Sequence, residues 1–271
     1  MSARGVTTAP VDAVRIDRCA RSSRVPAMLD MTQSLSGLLL ALFMWGHMLF
    51  VSSILLGKEA MYVVTKTFEG YYLFGRSYPW IVSLAVACVL LLLVLHAALA
   101  LRKFPADYRQ HRAIVRHSIN LRHGDTWLWL VQLYTGFAMF FLASAHLFFM
   151  LTHPAEIGPY ASSDRVWSGG WWPIYLLLLL AVELHGSIGL YRLTMKWGWL
   201  QGRDALAGRR RLIRAKWGIT LFFLLLGLLT LGAYIKIGIE HRDQLGERYR
   251  IGWQSVPGGE PRLSAESCRC G

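Results

Sequence analysis

The sequence predicts an all-α integral membrane protein with five transmembrane helices, and three observations predict it. Of 271 residues, 54% are hydrophobic and the mean hydropathy is positive. Apolar runs of membrane length recur five times. The polar stretches between them alternate between strongly basic and nearly neutral. A hydrocarbon layer about 30 Å thick takes about 20 apolar residues to cross as helix, where every backbone group finds its partner within the segment.

Residues 1–30 are polar, with Arg4, Arg15, Arg18, Arg21 and Arg24 against Asp12, Asp17 and Asp30. They lack the apolar core of a signal peptide and read as a cytoplasmic extension, an Arg- and Ser-rich presequence being the alternative. A membrane domain follows over 31–241, with spans at approximately 32–56, 79–101, 126–151, 172–195 and 214–238, and then a tail over 242–271. Pro79 and Pro173 open two spans, where a missing backbone N–H costs nothing. Pro105, Pro154 and Pro159 fall in connections.

Charge orients the spans. The 102–122 connection carries Arg102, Lys103, Arg109, Arg112, Arg116 and Arg122 against Asp107. The 196–213 connection carries Lys196, Arg203, Arg209, Arg210 and Arg211. Arg165 is the sole basic residue of 152–171, and in 57–78 Lys58, Lys66 and Arg76 face Glu59 and Glu69. Basic loops stay in the cytoplasm, which puts the amino terminus there and the carboxy terminus outside. Lys236, Arg242, Arg248 and Arg250 pull weakly the other way. The net charge of +13 reads as attraction to anionic lipid. Nucleic-acid binding is not expected, because the basic residues sit in connections between spans. Cys19, Cys88, Cys268 and Cys270 lack metal-site spacing and read as free thiols.

The stretch Pro173–Lys196 sets Glu183 and His185 near the middle of a span, where an ionisable group is a functional candidate. His47, His96 and His146 each stand alone on a different span. Counting along the oriented helices puts His47 and His146 in an outer layer and His96 and His185 in an inner one. Two pairs at two depths fit two six-coordinate haems, each held by imidazoles from different helices, so that the first four helices form a haem-binding bundle. Gly46, Ala97, Ala98, Ser144, Ala145 and Gly186 beside them would let a flat macrocycle approach, and equally suit helix contacts. Packing or proton relay is the other use of such histidines. His111, His117, His123, His153 and His241 fall in connections or at span ends, where a solvated imidazole is expected.

The segments GHMLFVSSILLG (46–57), HAALALRKFPADYRQ (96–110), RHGDTWLWLVQLYTGFAMFFLASAHLF (122–148) and AVELHGSIGLYRLTMKWGW (181–199) carry a resemblance. They resemble the dihaem cytochrome b subunit of quinol:fumarate reductase, in the succinate:quinone oxidoreductase family, from about Ser23 to about His241. The resemblance implies two haem b groups, a proximal one on His96 and His185 and a distal one on His47 and His146. It implies menaquinol or menaquinone as substrate, and partners: a flavoprotein with covalent FAD, where fumarate or succinate reacts, and an iron–sulfur subunit. A dimer of heterotrimers in the bacterial inner membrane follows by the same analogy. This chain has no Rossmann glycine pattern or cysteine framework to supply those functions itself.

On the same resemblance, Gln33, Ser34, Trp129 and Lys196 contact proximal-haem propionates, and Arg165 suits a distal one. Without it, Lys196 reads as a snorkelling lysine and Trp129 as an interfacial aromatic. Quinol oxidation releases protons with its electrons, and Glu69 aligns with the family's acceptor. Glu183 lies two residues from His185, about 200° around the helix, and so faces elsewhere. The resemblance implies a proton relay for it; a protonated acid bonded to a neighbouring helix is the plainer reading. A cytochrome serving a formate dehydrogenase or hydrogenase is the alternative function, though such proteins set two ligands on one helix. A non-redox transporter is a third. Whether fumarate is reduced or succinate oxidised depends on quinone type and haem potentials, which ligand identity does not set.

Overall fold

The structure, a computed structural model, describes residues 23–121, 123–200 and 202–250. Residues 1–22, Arg122, Gln201 and 251–271 lie outside the described residues, and with them Cys19, Cys268, Cys270 and most of the expected tail. Five helices among the described residues are long and apolar enough to cross a membrane. They are α1 (Val25–Val51, prolonged by a 3₁₀ turn, Ser52–Leu56), α4 (Pro79–Leu101), α6 (Gly124–Thr152), α8 (Trp172–Trp197) and α9 (Ala205–Glu240). Their outward faces carry Leu84, Leu91, Val94, Phe148 and Leu229, all exposed, which is the inside-out distribution that lipid allows.

Local signals set the ends. Proline stands in the first turn of α1, α4 and α8. Asp204 caps α9, its Oδ1 accepting from the N–H groups of Leu206 and Ala207 at 2.9 and 3.1 Å. That cap starts α9 nine residues before the expected apolar run, so Arg209, Arg210 and Arg211 belong to helix rather than loop. Gly198, at φ 69°, closes α8 in the left-handed region.

The expected connections hold helices of their own: α2 (Lys58–Phe68), α3 (Tyr71–Phe74), α5 (Tyr108–Leu121) and α7 (Pro159–Val166). Asp107 and Gln110 explain α5. Gln110 N–H donates to Asp107 Oδ1 at 2.7 Å, while Ala106 N–H donates to Gln110 Oε1 at 2.6 Å, a variant of the reciprocal capping box. With Ile114 and Val115 half-buried and Arg109, Arg112 and Arg116 exposed, α5 has the make-up of an amphipathic surface helix.

The spans pack in a ring. α1 lies against α4, α4 against α6, α6 against α8, and α8 against α1, while α9 packs on α8 and α1 from outside. α5 and the 196–213 connection occupy one end, called here the basic end. α2, α3 and α7 cover the other. There α7 crosses the end of α9, and this corrects one expectation. His241 is 3% exposed rather than solvated, with Nδ1 2.9 Å from Asp164 Oδ1 and its ring stacked on Tyr160 at 4.0 Å. The start of the expected tail folds over the same corner, where Arg248 donates to the Ala155 carbonyl at 3.0 Å.

Candidate cofactor site

Helix geometry turns four separate histidines into two facing pairs. The ring centroids of His96 (α4) and His185 (α8) are 6.5 Å apart. Those of His47 (α1) and His146 (α6) are 6.2 Å apart. An imidazole nitrogen binds a metal at about 2.0–2.1 Å, so two rings on opposite sides of one iron have centroids roughly 6 Å apart. Each pair has that separation.

The pair toward the basic end opens on a cavity of about 600 Å³ enclosed by α1, α4, α6 and α8. That volume lies within the range of pockets for small molecules and cofactors. His96, His185, Gln33, Ser34, Trp129 and Lys196 all line it. Both imidazoles are held from behind. Ser36 Oγ donates to the Gln33 carbonyl at 3.1 Å and lies 3.1 Å from His96 Nδ1, so Nδ1–H donates to Ser36. His185 Nδ1 lies 3.0 Å from the Gln132 carbonyl, which can only accept. Both rings therefore carry their proton on Nδ1 and leave Nε2 bare, the arrangement that outer hydrogen bonds impose on ligating histidine.

Two glycines make room for this. A Cβ at Gly37 of α1 would stand 2.8 Å from His96 Cε1, and one at Gly136 of α6 would stand 2.8 Å from His185 Cε1. Each imidazole thus lies against the backbone of the neighbouring helix. At the cavity mouth, Lys196 Nζ donates to Ser34 Oγ at 3.0 Å, and Asp30 pairs with both Lys103 and Lys196. Gln33 Oε1 is buried and has no hydrogen-bond partner among the described residues.

The second pair is enclosed by aromatic rings. His47 stacks on Phe43 at 5.8 Å, and Tyr175 stands edge-on to His146 at 5.4 Å. His146 Nδ1 is buried with no partner among the described residues. Arg165, on α7, reaches this end. Its Nε donates to Tyr175 Oη at 3.0 Å and its Nη1 to the Glu156 carbonyl at 2.8 Å. Glu69 follows α2 and is 3% exposed, not solvated, its Oε2 2.7 Å from Lys66 Nζ. The adjoining Phe68 packs edge-on against Phe50 of α1, one turn beyond His47, at 4.9 Å.

Glu183 has no exposure and neither oxygen finds a partner among the described residues. It does not line the cavity of His185. Leu179 and Ser187, one turn to either side, both face α9. A Cβ at Gly227 would meet Leu179 Cδ1 at 2.4 Å, and Thr220 Oγ1 donates to Ser187 Oγ at 2.7 Å. Glu183 shares their stripe. Lys216 of α9, one turn from Thr220, is 4% exposed, and its Nζ lies over Trp217 at 3.5 Å.

Sequence reasoning missed Ser36, Gln132, Gly37 and Gly136, and it read Asp30 only as part of a polar extension. The signal for Gly37 and Gly136 was their place inside apolar helices, where glycine costs about 1 kcal/mol against alanine and asks for a packing reason. Nothing local marks Gln132 for its part in holding His185, because that contact is made by a backbone carbonyl.

A family model described as succinate dehydrogenase/fumarate reductase transmembrane subunit matches residues 108–227. The fumarate reductase cytochrome b subunit of Helicobacter pylori J99 is 54% identical over 223 residues, covering 82% of this chain and 86% of that protein. The protein of the same description from Wolinella succinogenes is 52% identical over 223 residues, covering 82% and 87%. Agreement at that level over most of a multi-pass membrane chain means that the chain belongs to the succinate dehydrogenase/fumarate reductase transmembrane subunit family.

Proposed function

We propose that the chain is the membrane anchor and dihaem cytochrome b subunit of a fumarate reductase or succinate dehydrogenase complex, linking menaquinol or menaquinone to an iron–sulfur subunit. The observation that carries this reading is the pair of histidine pairs at 6.5 and 6.2 Å, each drawn from two helices. The two relatives, each described as a fumarate reductase cytochrome b subunit, support it. Haem b, when bound, supplies a one-electron carrier.

His96 and His185 would hold the proximal group, and their Nδ1 bonds fix the ring planes. His47 and His146 would hold the distal group. Lys196, Ser34, Gln33 and Trp129 would receive propionates at the cavity mouth, where Asp30 pairs with Lys196. Arg165 would receive one at the other end. Glu69, near the outer end of α1, takes a proton from quinol, and Lys66 positions its carboxyl. Glu183, buried on the α9 side of α8, relays a proton inward and offsets the charge of electrons crossing the membrane. The flavoprotein, with FAD, carries the dicarboxylate chemistry on the cytoplasmic face of a bacterial inner membrane. On this reading the basic end and the amino terminus face the cytoplasm, and the assembly is a dimer of heterotrimers.

The tagged chain should draw a flavoprotein and an iron–sulfur protein from its own membranes in mild detergent. Its haem absorption, reduced by a menaquinol analogue, should reoxidise on adding fumarate. Purification without a flavoprotein, or haems indifferent to fumarate, would refute the reading. Glu183→Gln should keep both haems and suppress quinol-driven fumarate reduction in proteoliposomes; normal turnover there removes the relay role.

A further inference from the structure

Arg192 is a cation on the wall of the proximal cavity that no role above uses. It lies seven residues beyond His185, about 10 Å along α8 and nearly in line with it on the same face. It lines the cavity with His185 and Gly189. Its Nη1 donates to Gln132 Oε1 at 2.6 Å, and the backbone carbonyl of the same Gln132 accepts from His185 Nδ1 at 3.0 Å. Gly189 gives the amide room, since a Cβ there would stand 3.0 Å from Gln132 Nε2. One residue thus orients both the histidine and the guanidinium.

Among the described residues no carboxylate pairs with Arg192. Asp125, the acid whose field reaches it, is already bonded to Arg209 at 2.8 Å and to the Tyr191 hydroxyl at 3.0 Å. Gln132 is neutral and can aim the guanidinium without cancelling it. A fixed positive charge beside a redox centre stabilises the state with one more electron. Taking the helical rise of roughly 10 Å as the separation, with an effective dielectric of about 20, that is worth about tenfold to twentyfold in the affinity for one electron.

We propose that Arg192, clamped by Gln132, is a positioning residue that raises the reduction potential of the proximal haem above the value His96 and His185 alone would give. The proposal rests on the haem reading of the preceding section. It gives electrons a downhill direction from the distal pair toward the basic end, using a charge that touches neither iron ligand.

The test is a potentiometric titration of both haems in the intact, membrane-extracted complex. Arg192→Gln should lower the proximal midpoint by about 59 mV or more, a tenfold loss in one-electron affinity, and leave the distal midpoint alone. Arg192→Lys, which keeps the charge, should restore most of the difference. Gln132→Leu keeps the carbonyl to His185 but frees the guanidinium, and should fall between. An unchanged proximal midpoint in Arg192→Gln overturns the proposal, and so does an equal shift of both haems. Loss of the proximal haem from that variant overturns it too, because an electrostatic role leaves both ligands and their hydrogen bonds in place. A wild-type complex without haem would instead end the underlying reading, a separate result.

Discussion

Alanine at Gly136 puts one methyl group where the structure has least room for it. The added carbon would lie 2.8 Å from Cε1 and 3.1 Å from Nδ1 of His185. Carbon atoms at rest sit about 3.5–4.0 Å apart, so the imidazole must withdraw by about 1 Å. Withdrawal stretches the 3.0 Å bond from Nδ1 to the Gln132 carbonyl past useful range. Losing such an outer bond typically weakens metal binding about 10–100-fold. Overpacking adds about 1–3 kcal/mol of strain, which the site relieves by releasing the ring. The proximal group should therefore be lost or strongly depleted while the distal group stays, halving haem per chain. The assay is the reduced-minus-oxidised spectrum of the purified complex, calibrated against protein. Gly232→Ala, whose Cβ meets nothing within 4 Å, is the control and should match wild type. Full haem content and unchanged midpoints in Gly136→Ala would mean that His185 is not held against the α6 backbone as a ligand.

Ser36→Ala removes the acceptor behind His96 and leaves the fold alone; proximal haem should pass to apomyoglobin about tenfold faster, and an unaltered rate would contradict the tautomer assignment. Asp30→Asn frees Lys103 and Lys196, but the groups are partly exposed, so stability should fall by no more than about 1 kcal/mol. A thermal scan showing a drop well beyond about 4 °C would mean that Asp30 does more. Asp164→Ala strands the buried His241 and should cost about 1–3 kcal/mol, read as a lower melting temperature with both haem spectra intact. A haem spectrum altered in that variant would mean that the Asp164–His241 pair also holds Arg165, its neighbour on α7, in place at the distal site.

Hydropathy alone located the five spans, because a lipid-facing helix must be apolar along its whole length and shows this in any window. The depth of each histidine followed by counting, and both facing pairs emerge from that count. The helical connections were less legible. α5 reads as a charged loop to a hydropathy window, although Asp107 and Gln110 announce its start. His241 looked solvated because its neighbours in sequence are polar, whereas its partners Asp164 and Tyr160 lie some 80 residues away. The same holds behind the imidazoles. Ser36 and Gln132 act through tertiary contacts, and a backbone carbonyl leaves no mark in a sequence. Glu183 was readable as a buried acid turned away from His185. That both of its oxygens lack partners among the described residues needed the neighbouring helices in place.

In the proposed function four imidazoles close on two irons in pairs. The most direct measurement is haem content per chain in wild type and in four single variants, His47→Ala, His96→Ala, His146→Ala and His185→Ala. Wild type should hold two haems with low-spin bis-imidazole spectra. His96→Ala and His185→Ala should lose the same one, and His47→Ala and His146→Ala the other. A colourless wild-type protein, or substitutions that pair in any other way, would contradict the account.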